Sequence, residues 1–206
     1  MHRLVKISFF SGVFLCLAAI IIIIFTYIVL KPDLPKINLV DESELQMPLK
    51  VYTKDGVLIG EYGEIKRRTT DYQDIPEHIK NAFLAAEDDN FFNHQGISYT
   101  GLIRSFIRCL KSSVCEGGGG TITMQVVRGY LLTRDQTIIR KIKEIFLAFE
   151  LEGNISKEEI FELYVNRIFL GNRSYGIEAA ANTYFDKGLD DLSISESATI
   201  AALAQL

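Results

Sequence analysis

The sequence predicts a mainly α-helical domain that carries one small β-hairpin and is preceded by a single transmembrane helix. Three observations carry this expectation. From Phe9 to Leu30 there are 22 consecutive residues without a charge; the one persuasive strand signal lies between Val51 and Tyr62; and from Asp74 onward helical periodicity and capping signatures recur to the last residue. With 206 residues and 48% apolar composition, the chain has room for one ordinary domain with its own core, plus an appendage.

The span comes first. FFSGVFLCLAAIIIIIFTYIVL is long enough to cross a hydrocarbon layer as a helix, and it lacks the shorter core and small-x-small site of a cleaved leader. Basic residues flank it on both sides, so charge alone does not orient it. A long domain after the span translocates largely regardless of charge, which puts residues 1–8 in the cytoplasm as a short tail. Residues 31–47, interrupted by Pro32 and Pro35, read as a linker, and the domain is expected over residues 48–206. Two of the 22 basic residues, Arg3 and Lys6, precede the span, whereas all 26 acidic residues follow it. A mildly acidic domain with no RNA- or DNA-binding motif argues against a nucleic-acid partner.

Within the domain, VYTKDGVLIGEY places Asp55-Gly56 between two β-prone runs, a hairpin signal. A helix then starts near Pro76, with Ile79, Phe83 and Glu87 in steps of four on one stripe. A carboxylate on a core-facing stripe is either buried with partners or turned to a cleft, and desolvation raises its pKa toward the range of a general base. Taken alone, this stretch fits a structural hydrogen bond at a helix end better than it fits catalysis. A second amphipathic helix is expected with Leu102, Ile103, Phe106, Ile107 and Leu110 inward and Arg104, Arg108 and Lys111 outward.

The four glycines Gly117 to Gly120 then precede a helix-compatible run, whose free N–H groups would suit an anion, although the Lys-Ser/Thr ending of a nucleotide loop is missing. In TIIRKIKEIFLAFELE the expected apolar stripe is Ile138, Ile142, Ile145 and Phe149, with Arg140, Lys141 and Glu144 projecting from the other side. Gly153 is expected to end that helix, and Ser156 with Glu159 forms a capping box that opens the next. A helix around Ile177 to Phe185 follows, and Ser193 with Glu196 caps a last one still running at Leu206.

Cysteine and histidine give no metal framework. Cys16 lies in the span, and Cys109 and Cys115 lack CxxC spacing, which leaves a disulfide and two separate thiols equally open. His94 reads as a packed or hydrogen-bonding histidine rather than a ligand.

Four motifs then fall into one order. They are Glu87-Asp88-x-x-Phe91-x-x-His94-x-Gly96, Gly118-Gly119-Gly120-Thr121-Ile122-Thr123-Met124-Gln125, Arg140-Lys141-x-x-Glu144, and Lys157-x-x-Ile160-x-Glu162-x-Tyr164-x-Asn166. Together with Tyr175 to Phe185 this series resembles the peptidoglycan glycosyltransferases of family 51, and the anchor before the domain resembles that of their monofunctional members. The resemblance implies a lysozyme-like helical fold that polymerises lipid II into glycan strands on the outer side of the cytoplasmic (inner) membrane, in a single-pass protein.

It makes Glu87 the general base on the acceptor's 4-hydroxyl and Glu144 the second carboxylate. Arg128, Arg140 and Lys141 become the groups facing the diphosphate, with Thr121 and Gln125 as further substrate contacts. Glu162 and Asn166 would hold the fourth motif together, and Asp88 and His94 would shape the first. A divalent metal, magnesium or manganese, is the cofactor it allows, since cations lower the barrier to diphosphate departure. The partners it implies are lipid II, the growing strand, the membrane and other cell-wall synthesis proteins.

The family's second motif usually reads Gly-Gly-Ser-Thr-Ile-Thr-Gln-Gln and continues to a Lys-Asn pair. In this chain Gly120, Met124 and Arg128-Gly129 depart from it, and at positions 120 and 124 polar groups that line the relatives' donor cleft are lost. Two other readings stand beside the transferase. A lysozyme-like hydrolase would need a protonated acid and has no use for cations aimed at a diphosphate. A non-catalytic, membrane-tethered scaffold is favoured by the altered second motif and disfavoured by the retained Glu87, Arg140, Lys141 and Glu144.

Overall fold

The computed structural model describes residues 14, 17–18, 21–22, 24–35, 49–62, 66–67, 69–101, 103, 120–132 and 138–204. The chain divides into two units, Met1–Lys36 and Ile37–Leu206. In the first, every described residue from 14 to 30 is helical, with Phe25 and Ile28 exposed. The helical run gives way to a 3-10 turn at Lys31–Asp33, where Pro32 cannot continue it. Among the described residues no helix is long and apolar enough to cross a membrane, and much of the expected Phe9–Leu30 span lies outside them. So do most of the expected linker, the expected helix beyond Ile103, Cys109, Cys115 and Gly117 to Gly119.

The second unit opens with the expected hairpin, in which β1 (Leu49–Tyr52) pairs antiparallel with β2 (Leu58–Tyr62). Its turn is closed by Thr53, whose N–H donates to the Val57 carbonyl at 2.8 Å and whose hydroxyl accepts from the Val57 N–H at 2.9 Å. Gly56 takes φ +83° there, a conformation that glycine adopts without strain. A second, parallel pairing joins β3 (Lys66–Arg67) to β4 (Ser174–Tyr175). No strand periodicity announces so short a pair; it is set by the chain segments that the helices bring together.

The helices are α1 (Glu77–Glu87), α2 (Ile122–Leu131), α3 (Ile138–Asn154), α4 (Lys157–Arg167), α5 (Ile177–Phe185) and α6 (Ile194–Leu203). Helix α2 packs against both α3 and α4, and α1 packs against α6. Ile79, Phe83, Phe91, Ile122, Met124, Leu147, Leu151, Phe161 and Ile177 are among the fully buried side chains of the core. Both capping boxes form as expected: Ser156 accepts from the Glu159 N–H while Glu159 accepts from the Ser156 N–H, and Ser193 and Glu196 do the same.

Four expectations are corrected. The last helix, α6, ends at Leu203 with Ala204 as its cap, short of the expected run to Leu206. Helix α3 continues past Gly153 to Asn154, because the extended backbone that ends it is that of Ser156, the next helix's cap. Its buried face is Glu144, Leu147, Ala148 and Leu151, whereas Phe149 of the expected stripe is 40% exposed. Apolar residues sit nearly all round this helix, so the period alone does not choose a face. The choice falls on the side where Glu144 is neutralised by cations. Ile103, expected inward, is exposed, and nothing in the described residues explains it.

Candidate active site

Glu87 is the last residue of α1, one turn beyond the buried Phe83. Its Oε2 accepts a hydrogen bond from Gln125 Nε2 of α2 at 2.6 Å, while its Oε1 is buried without a partner. Burial pushes the Glu87 carboxyl above its ordinary value; the Gln125 bond opposes that and the neighbouring Asp88 charge adds to it. A carboxylate so placed takes up a proton more readily than an exposed one does.

Asp88 turns the other way. Its carboxylate lies 2.9 Å from His94 Nε2 and accepts the Ile122 N–H at 3.2 Å. The start of α2, expected to offer free N–H groups to an anion, thus already holds one of the protein's own. Thr121 completes that end: it caps α2 by accepting from the Met124 N–H at 3.2 Å and donates to the Gly96 carbonyl at 2.6 Å. Gly96 sits close against Ala148 at φ +80°, a place where a Cβ would meet the Ala148 carbonyl at 2.9 Å.

A second cluster forms on Glu144, which has no exposed surface. Lys141 Nζ lies 2.9 Å, Arg128 Nε 3.2 Å and Arg140 Nε 3.3 Å from its carboxylate. Three cations on one anion leave a local excess of two positive charges, and Arg128 and Lys141 are each about 40% exposed at the side chain. Gly120 adjoins this cluster: a Cβ there would sit 3.1 Å from Arg128 Nη2 and 4.0 Å from Lys141 Nζ. Gln125 and Arg128 stand three residues apart on α2, hence neighbours on one face. One helix therefore links the Glu87 carboxylate to the cation cluster.

The sequence-predicted residues separate accordingly. The structure brings Glu87 together with Gln125, and Arg128, Arg140 and Lys141 together with Glu144. Thr121 is buried, and its hydroxyl is engaged on both sides within the protein. Met124 is also fully buried, so the apolar residue at that position fills the core rather than lining an open surface. Glu162 accepts from the Tyr72 N–H at 2.8 Å, and Asn166 exchanges two 2.9 Å bonds with the Thr70 backbone, so both fasten α4 to the segment before α1.

Thr123, Glu152 and Lys157 form a further polar cluster that no spacing or motif announces. Thr123 Oγ1 and Lys157 Nζ each donate to Glu152 Oε1 at 2.6 Å, and the Lys157 ammonium stands 4.3 Å from the Phe91 ring centroid. These contacts tie α2, α3 and α4 to the first motif. Lysine at the first position of a capped helix gave no signal of that destination. For a divalent metal, no group of three or more His, Cys, Asp and Glu converges among the described residues. Glu144 is already ringed by cations and does not fit as a ligand.

Residues 55–206 match the transglycosylase family. The chain is 46% identical to penicillin-binding protein 1A of Pseudomonas aeruginosa over 98% of its own length and 24% of that protein. It is 48% identical to penicillin-binding protein 1A of Haemophilus influenzae, covering 79% of the chain and 19% of the relative. For the Escherichia coli protein of the same name the identity is 41%, over 86% and 21%. The chain thus spans about a quarter or less of the length of these relatives, and they carry the penicillin-binding protein 1A name where the sequence had pointed to monofunctional members. By the match over most of its length, the chain belongs to the transglycosylase family.

Proposed function

We propose that the domain is a peptidoglycan glycosyltransferase that polymerises lipid II into glycan strands. The observation that carries this is the pairing, through α2, of a desolvated Glu87 with a cation cluster holding two unbalanced positive charges. A hydrolase that protonates a sugar leaving group needs the first of these and not the second.

In the proposed reaction Glu87 takes the proton from the acceptor's 4-hydroxyl. The freed oxygen attacks the anomeric carbon of the donor strand, the configuration inverts, and undecaprenyl pyrophosphate departs. Arg128, Arg140 and Lys141 attract the diphosphate and stabilise the charge that grows on it as the bond breaks, the point at which preorganised cations contribute most. Glu144 holds the three side chains together. Without it their mutual repulsion would spread them into solvent. A magnesium or manganese ion, where bound, would add further positive charge against the departing diphosphate, and Glu144, already held by three cations, would not be its ligand.

The same reading gives the domain a lysozyme-like fold and places it on the outer face of the cytoplasmic membrane. There the apolar Phe9–Leu30 stretch serves as anchor and other cell-wall synthesis proteins are partners. The test is incubation of the detergent-solubilised chain with lipid II and analysis of the products. Glycan strands with release of undecaprenyl pyrophosphate are expected. Short hydrolysed fragments would make it a hydrolase, and unchanged substrate would leave the scaffold.

A further inference from the structure

Helix α4 brings a second polar group to Glu87. Tyr164 is 3% exposed, and its hydroxyl is buried without a hydrogen-bond partner, as is Glu87 Oε1. A buried donor and a buried acceptor that are both left unpaired cost stability unless they serve each other, and the Glu87 charge is felt at this phenol. The tyrosine ring is fixed edge-on to Phe83, with centroids 6.2 Å apart, and tilted against Phe161 at 6.4 Å. Phe83 lies one turn before Glu87 on the same face of α1, so a ring packed on Phe83 stands beside the turn that ends in Glu87. The Glu87 charge, second to burial, opposes ionisation of this phenol, which therefore keeps its proton.

We propose that Tyr164 is a positioning residue for Glu87: its hydroxyl is the internal donor to Oε1 when the carboxylate is ionised, reached by rotation of the Glu87 side chain. Gln125 donates to Oε2 and Tyr164 to Oε1, which locks the carboxylate plane. Oε1 faces the interior and cannot meet a substrate, so the proton from the acceptor hydroxyl goes to the remaining lone pair of Oε2. The other groups around Glu87 are committed elsewhere. Asp88 is held by His94 and the Ile122 N–H, and α6, packed on α1, brings Glu196 as its one titratable side chain, bound by Lys187 at 2.7 Å.

The inference rests on the transferase reading for its kinetic arm alone. Tyr164→Phe keeps the ring and its packing, so thermal stability should be unchanged. With lipid II, kcat should fall about tenfold, the scale of one lost hydrogen bond to a charged group, and the acidic limb of the rate profile should move to higher pH. A second arm needs no turnover: the Glu87 carboxyl carbon, labelled with carbon-13 and assigned by its loss in Glu87→Gln, is titrated by NMR in the full chain and in Tyr164→Phe. The midpoint should rise in the variant. An unmoved midpoint, or an unmoved acidic limb in an active enzyme, overturns the inference. A moved midpoint in a chain that makes no glycan overturns the transferase reading and leaves this one standing.

Discussion

At the scale of single residues, Glu87 sets activity against stability. Its folded-state pKa lies above the ordinary 4.5, so the folded chain holds the proton more tightly than the unfolded chain does. The stability linked to that proton is fully present below about pH 4.5 and is lost as pH rises through the folded value. Glu87→Gln removes this dependence. It should lower lipid II turnover about a hundredfold or more while making the protein at least as stable as wild type at neutral pH, with the advantage vanishing in acid. Melting curves at pH 4 and pH 7 together with a turnover assay check both halves, and a Gln variant that turns over normally would remove Glu87 from the mechanism.

Arg128→Gln, Lys141→Met and Arg140→Gln should each weaken donor use more than they weaken folding, because the buried Glu144 keeps two cations when it loses one. Wild-type rates for all three at limiting donor would return these groups to the status of surface cations.

At the scale of elements, α3 depends on a polar contact for its orientation. Glu144 stands on the buried face, and removing it leaves three neighbouring cations with no anion. Breaking a buried ion pair from one side costs roughly 3–5 kcal/mol. Arg128 and Lys141 can turn into water, which places Glu144→Ala near the lower end, about 3 kcal/mol, measurable by denaturant titration. The capping box of α4 is a smaller and more local device: Ser156→Ala should cost about 1 kcal/mol. The Ser156 backbone and hydroxyl bonds hold Glu159 below its usual range, so this box contributes above about pH 4.5 and weakens as pH falls.

For the whole molecule, the proposed anchor is tested without chemistry. The uncharged Phe9–Leu30 stretch should keep the chain in membranes through high-salt and alkaline washing, and protease added outside opened cells should reach the domain after Leu30. Release by the wash, or protection of the domain, would refute the topology.

Sequence alone determined what is local and periodic in this protein. The hairpin at Asp55-Gly56, the Ile79, Phe83 and Glu87 stripe, both capping boxes and the helix Ile177–Phe185 follow from turn chemistry, spacing and hydrogen bonds within a few residues. The four ordered motifs also fixed the family, because order and spacing survive in one dimension. Tertiary structure decided which face of α3 is buried, because apolar residues sit nearly all round that helix and the cations that meet its buried Glu144 include Arg128 of another helix. It also turned Met124 and Thr121 into the interior and set Gln125 on Glu87 from a helix 38 positions away. Finally, it brought the Tyr164 ring onto Phe83, 81 positions earlier in the chain. Such long-range neighbours leave no periodic trace in a sequence, since only packing of the helices against one another brings them within reach.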